Sequence, residues 1–281
     1  HEDDNLDADQ HGEKTEKNID SVSGVAEGDH KKTKKAGSSS MKATDMDFIL
    51  NIPLPSAVCV VARRNTGKSF LICSWIYEQL KRGRLLKQNI IVFTSTSFND
   101  QYDFLPAQNV RPYSETLVKK IIQFQKRRLL LLKKRSDRSG VPVQIPGICL
   151  VLDDVQTYSG RASDGSKGHF LSECLKFLFT TGRHLKIQLW CATQATKTLI
   201  SPACRSNCDV LAMSSLTTEQ MRACYQLISD VTFPEFKRMI DNLPRHVFAV
   251  YNTYKPPGER WGFVKATGYA GRHGHKTGWW R

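Results

Sequence analysis

The chain has 281 residues, 24% of them charged and 40% hydrophobic, and a formal net charge of +14. That length suits one large α/β domain with extensions, or two small domains, and no run of 18 apolar residues is present to span a membrane. Residues 1–40 hold ten acids and six bases, whereas the other 241 residues hold 17 acids and 35 bases, a net of +18. So basic a body fits a polyanionic partner, the plain alternative being charge kept for solubility.

In chain order, residues 1–44 are polar and almost free of large apolar side chains, which predicts a disordered tail. Their Lys-rich run at 31–35 could touch nucleic acid, but a solvated tail is the favoured reading. The first 20 residues are acidic rather than basic-then-apolar, unlike a secretory leader. A folded domain is predicted over 45–267. It opens with an apolar strand at 57–62, a loop, and a helix to about 82. A strand at 89–96 and a long basic helix at about 115–135 follow. A third strand covers 148–154. A Gly- and Ser-rich loop at 159–168 leads to a helix at about 169–182. Strands at 187–194 and 209–215, helices at 217–229 and 233–242, and a closing hairpin complete the domain. Strands apolar throughout and alternating with helices predict an α/β fold with a mostly parallel sheet covered on both faces. Residues 268–281 read as a flexible basic tail.

Eight cysteines occur, mostly inside apolar runs, with no Cys-x-x-Cys pair. They read as small buried hydrophobes in a reducing, intracellular compartment. Cys204 and Cys208 lie four apart without a partner at zinc spacing.

The most informative stretch is AVCVVARRNTGKS, residues 57–69. An apolar strand, a tight loop and Gly-Lys-Ser at the start of a helix form the pattern of a phosphate-binding loop. Backbone N–H groups of Ala62, Arg63, Arg64, Asn65, Thr66 and Gly67 can line an anion site at the helix N-terminus. Lys68 reaches for the outer phosphates, and the Ser69 hydroxyl is placed to hold Mg²⁺. Ala62 stands where the pattern has its first glycine, and a Cβ there disfavours positive φ.

Residues 150–154 read LVLDD, an apolar strand ending in two acids. At the C-terminal edge of a parallel sheet they share the edge on which the loop opens. Asp153 is the candidate Mg²⁺ ligand and Asp154 the candidate general base. Gln194 ends the strand IQLWCATQ at the same edge, where an amide can orient water or sense a phosphate. Arg183 precedes that strand and Arg205 follows it. Either can act as an arginine finger on a neighbouring subunit, or as an ordinary salt-bridge residue. The helix at 115–135 is expected to bury Leu117, Ile121, Ile122, Phe124, Leu129 and Leu132, and to show solvent a dense row of Lys and Arg.

The order ARRNTGKS, LVLDD, GRHLKIQLWCATQ and SPACRSNCDVLAM resembles the FtsK–HerA superfamily of P-loop ATPases. Within it, the chain resembles the genome-packaging ATPases of poxviruses and other large DNA viruses. The resemblance covers about residues 48–255. It implies a RecA-like P-loop NTPase fold of the ASCE type and ATP hydrolysis with Mg²⁺. It further implies a homo-oligomeric ring, hexameric or pentameric, that drives double-stranded DNA into a capsid and meets capsid proteins at a virus assembly site in the host cytoplasm or nucleus. By the same resemblance, Lys68 and Ser69 are Walker A residues, Asp153 and Asp154 Walker B residues, and Gln194 the sensor; Arg183 and Arg205 are both finger candidates. A HerA-like helicase or conjugative translocase has the same motifs. A DNA-binding module with a decayed phosphate loop is a further alternative, supported by Ala62 and Asp154.

Overall fold

The computed structural model describes residues 46–267, apart from 96–99, 156–157, 160–169, 172 and 195–201. Both predicted tails, and all of the Gly- and Ser-rich loop but Ser159, lie outside the described residues. One eight-stranded sheet organises the rest. Its strands are β1 (Ala57–Ala62), β2 (Ile90–Thr94), β3 (Val110–Arg111), β4 (Ile148–Asp153), β7 (Ile187–Thr193), β8 (Val210–Ser214), β9 (Val247–Asn252) and β10 (Trp261–Lys265). A separate two-residue pairing joins β5 (Tyr158–Ser159) to β6 (Phe170–Leu171). The helices are α1 (Asp47–Leu50), α2 (Lys68–Lys81), α3 (Glu115–Ser139), α4 (Glu173–Thr181), α5 (Pro202–Arg205), α6 (Thr218–Tyr225) and α7 (Phe233–Asp241).

The sheet runs β10-β9-β8-β1-β7-β4-β2-β3. The six strands from β8 to β3 are mutually parallel, and β9 and β10 are antiparallel additions. Strand β7 lies between β1 and β4, the order of RecA-like P-loop NTPases of the ASCE type. Every residue of β1, β4 and β7 is buried. Alternation explains why such runs have no polar face. Ala57, Cys59 and Val61 of β1 enter one core layer, with α3, α4, α6 and α7. Val58, Val60 and Ala62 enter the other, with α1 and α2. Trp190 of β7 meets Trp75 of α2 in that second layer, ring centroids 4.7 Å apart.

Helix α2 is tied to the short α1, which the sequence pattern did not reveal. Trp75 Nε1 donates to Ile49 O at 3.0 Å, and Gln79 Nε2 to Leu50 O at 2.7 Å. Helix α3 is longer than predicted. Ser114 caps its start by accepting from Leu117 N, and it runs on to Gly140, whose φ of +66° ends it. Its buried positions are Val118, Ile121, Ile122 and Gln125, a single i, i+3, i+4, i+7 stripe. Phe124 is 59% exposed rather than buried, and Leu117, Leu129 and Leu132 are half-buried. The stripe had one real period, and Phe124 falls off it. Beyond Gln125 no residue of α3 is fully buried, so its second half carries Lys126, Arg127, Arg128, Lys133, Lys134, Arg135 and Arg138 along an outlying arm.

Helix α4 starts at Glu173, later than the predicted 169, and Arg183 and His184 fall in a 3-10 turn, Gly182–Leu185. Helix α6 stops at Tyr225, short of 229. Leu227 N and Ile228 N bond to Cys224 O and Tyr225 O, which tightens the end so that Thr232 can cap α7. The described cysteines are free thiols and all but Cys208 are buried. Among the described residues, no helix is long and apolar enough to cross a membrane, and no cluster of three or more His, Cys, Asp or Glu could hold a metal ion.

Candidate functional site

The C-terminal ends of β1, β4 and β7 bring the predicted site residues to one edge. Ala62 closes β1 with an extended backbone and a fully buried side chain. No positive φ is asked of it, so the missing glycine costs nothing there. The left-handed positions of the loop are Asn65 (φ +58°) and Gly67 (φ +97°), which caps α2. Asparagine tolerates that region. At Gly67 a Cβ would also lie 3.2 Å from Ala266 Cβ, so conformation and space both call for glycine. Thr66 closes the loop by donating to Arg63 O at 2.8 Å.

Lys68 is buried, and its ammonium folds back onto its own loop. Nζ donates to Ala62 O at 3.1 Å and to Arg63 O at 3.0 Å. Burial lowers its pKa, and the charges of Asp154 and Asp153 oppose that shift. Asp153 is 2% exposed. Burial raises its pKa, while the hydroxyls of Ser69 and Tyr102 pull it back down. Tyr102 donates to Asp153 Oδ2 at 2.8 Å. Asp153 Oδ1 is buried without a hydrogen bond of ordinary geometry among the described residues. An orphaned carboxylate oxygen beside a serine hydroxyl is a hard-oxygen donor set of the kind Mg²⁺ takes.

Asp154 follows with a left-handed backbone, φ +53°. Its N–H donates to Ala192 O at 3.1 Å, and its Oδ2 accepts from Gln194 Nε2. Gln194 O in turn accepts from Gln220 Nε2 at 2.5 Å. Gln220 is part of the capping box of α6, its Oε1 taking Thr217 N at 2.7 Å. A continuous chain of bonds therefore runs from Asp154 through Gln194 into the first turn of α6. Sequence reading found Asp154 and Gln194 but missed Gln220 and Tyr102. Thr217-x-x-Gln220 was visible as a capping box; its second role was not. If Gln220 positions Gln194, Gln220→Ala should lower kcat for hydrolysis about 10-fold or more with KM little changed, and Gln220→Glu should not restore it, because a carboxylate cannot donate to Gln194 O.

The two arginines separate. Arg183 Nη1 pairs with Asp209 Oδ1 at 2.7 Å. Asp209 is 5% exposed and its Oδ2 also accepts from Ala57 N at 2.7 Å. This is the N-terminal edge of β1, about 20 Å from the phosphate loop at 3.3 Å per residue. Arg205 ends α5, half-buried, with no ion pair among the described residues. It too precedes β8 at the far edge. Neither arginine is placed to serve its own subunit's loop.

No protein-family model matches the chain, and no curated protein matches it. Among solved structures it is similar to the genome packaging NTPase B204 from Sulfolobus turreted icosahedral virus 2 in complex with AMPPCP. That match has 17% identity, covers 76% of this chain and 99% of that one, and has a TM-score of 0.50. The same protein in complex with ATP-gammaS gives 17% identity and a TM-score of 0.50, over 75% and 97% of the two chains. The pCW3 conjugation coupling protein TcpA, in monomer form with ATPgS, matches at 15% identity and a TM-score of 0.50, over 75% of this chain and 60% of that one. At these identities the likeness is one of fold alone, the α/β fold of a P-loop NTPase.

Proposed function

We propose that the protein is an ATPase that moves double-stranded DNA, and that its role is packaging a viral or virus-like genome into a capsid. The observation that carries this reading is the joint placement of Lys68, Ser69, Asp153, Asp154 and Gln194 on one sheet edge. Support for the DNA partner comes from the basic outer half of α3 and from similarity to a genome packaging NTPase and a conjugation coupling protein. The similarity to the coupling protein also keeps a translocase without a capsid in view.

ATP binding exchanges the two carbonyl partners of Lys68 for phosphate oxygens. The loop N–H groups and the start of α2 hold the β-phosphate. Ser69 and Asp153 are the residues that would hold Mg²⁺, which supplies charge neutralisation at the phosphates. Asp154 accepts a proton from the attacking water, and Gln194 fixes the direction of that carboxylate. Release of phosphate then reaches α6 through Gln194 and Gln220. An arginine from the next subunit completes the site, which makes activity depend on assembly into a homo-oligomeric ring.

The test is steady-state ATP hydrolysis across protein concentrations, with and without linear double-stranded DNA. Turnover stimulated by DNA and rising more steeply than linearly with protein is expected. Lys68→Ala should bring it to background with the circular dichroism spectrum unchanged. DNA binding without turnover above the Lys68→Ala background overturns the motor and favours a DNA-binding module.

A further inference from the structure

Among the described residues, six large hydrophobic side chains are exposed, and four of them, Phe124, Leu130, Leu131 and Val141, lie on α3 or just beyond its end. Scattered singly, such residues need no explanation, but gathered on one element they mark a surface that something covers. The helical period sorts them. Leu117, Phe124 and Leu131 recur every seven residues and form one row. Lys119, Lys126 and Lys133 recur at the same spacing two positions on, about 200° round the helix. Lys126 Nζ lies 4.5 Å from the ring centre of Phe177 in α4, so the lysine row is on the α4 side. The apolar row is on the β2 side, where Leu117 and Phe124 line a cavity of ≈ 260 Å³ with Ile91. Gln88, Asn89 and Ile148 also line it, at the starts of β2 and β4, the sheet edge opposite the phosphate loop.

That cavity is smaller than the roughly 300–1,000 Å³ of small-molecule pockets, and its size suits the side chains of a partner. Its charged lining residues are Lys120 and Arg128. A second concavity, beyond Leu131, adds Lys134, Arg135 and Arg138. No carboxylate lines either one. A DNA backbone would meet the bases but leave Phe124 and Leu131 without an apolar partner. A second copy of this face would set bases against bases. The face is satisfied by apolar residues at the same seven-residue spacing with carboxylates beside them.

We infer that this side of α3 docks an acidic amphipathic helix of another protein. The apolar residues of that helix meet Leu117, Phe124 and Leu131, and its carboxylates meet Lys120, Arg128, Arg135 and Arg138. The lysine row stays open to nucleic acid, so the DNA proposed above and this helix use opposite sides of α3.

The experiment is fluorescence anisotropy of labelled three-heptad peptides with the full chain. One peptide has Leu at heptad positions a and d and Glu at e and g. A second replaces its Leu by Ser, and a third replaces its Glu by Lys. Linear duplex DNA and phosphatidylserine vesicles are measured alongside, and sedimentation velocity follows the protein alone. The proteins compared are wild type, Phe124→Ala with Leu131→Ala, and Arg128→Glu with Arg135→Glu. The Leu–Glu peptide should bind wild type at least about tenfold more tightly than either of the others. The double alanine variant should weaken it about tenfold and leave DNA binding unchanged. The charge-reversed variant should prefer the Leu–Lys peptide, and it also serves if the alanine variant fails to fold. Absence of Leu–Glu binding overturns the inference, and so does equal binding of the Ser–Glu peptide, which leaves charge alone. Loss of DNA binding together with peptide binding in the alanine variant gives the face to nucleic acid instead. Loss of vesicle binding in that variant gives it to a lipid surface, and a changed sedimentation coefficient gives it to a second copy; each overturns the inference.

Discussion

Arg205→Ala should lower DNA-stimulated ATP hydrolysis by about 10³-fold or more, the worth of a trans arginine in other phosphoryl-transfer systems. Arg183→Ala should act on stability instead. The reason is the partner each one has. Arg183 is committed to Asp209, a buried carboxylate that also holds the first N–H of β1. Burial raises the pKa of Asp209, while Ala57 N–H and Arg183 pull it back. Losing Arg183, itself 38% exposed, should cost about 1–2 kcal/mol. Asp209→Ala should cost about 3 kcal/mol or more, since it strands both Arg183 and Ala57 N–H. A mixing experiment isolates the trans role. Lys68→Ala subunits carry an intact Arg205, and Arg205→Ala subunits carry an intact loop. Each is expected to be inactive alone and the mixture to recover turnover. Recovery in mixtures of Lys68→Ala with Arg183→Ala, but not with Arg205→Ala, would exchange the two assignments.

The second large effect is a trade between activity and stability at Asp153. Asp153→Asn should abolish hydrolysis and raise the melting temperature. Asp153 is almost fully buried, and burial raises its pKa from its ordinary value. The folded chain thus takes up a proton more readily than the unfolded one. Stability from this group is then present at acidic pH and is lost as pH rises from the unfolded pKa through the raised folded one. At neutral pH the carboxylate is a cost. An asparagine of the same shape still accepts from Tyr102 and removes that cost. A gain of about 2–4 °C is expected without nucleotide or divalent cation, what ~1 kcal/mol is worth in a domain of this size. Thermal melts and hydrolysis assays on the same preparation check both halves. An active variant, or one that melts lower, contradicts the reading of Asp153 as a site strained for function.

Much of this was readable because the signals were local. Strands β1, β4 and β7 are unbroken apolar runs, and both acids at 153–154 follow their run directly. Ser114 and Thr232 mark helix starts within three residues of the groups they cap. What was not readable depends on residues far apart in sequence. Tyr102 meets Asp153 across 51 residues, and Gln220 meets Gln194 across 26. In isolation one is a tyrosine in a loop and the other half of a capping box. The partner that sets Arg183 apart from Arg205 is Asp209, an acid at a strand start with no motif around it. Phe124 shows the opposite error, a large apolar residue assumed to be buried because of its type. The α3 period excludes it.

The segment that ends the last described strand reaches back to the candidate phosphate loop. Ala266 N donates to His246 O at 2.9 Å, Ser74 of α2 donates to Thr267 O, and Ala266 Cβ stands directly behind Gly67. During synthesis, the ribosome releases β1 and α2 some 200 residues before that wall exists. A nascent chain stalled between Lys81 and Ala266 should carry the whole phosphate-loop motif and still lack the backing that shapes it. Competence to hold a nucleotide, on the function proposed above, would then wait for the synthesis of Ala266 and Thr267 rather than follow at once on that of the loop itself.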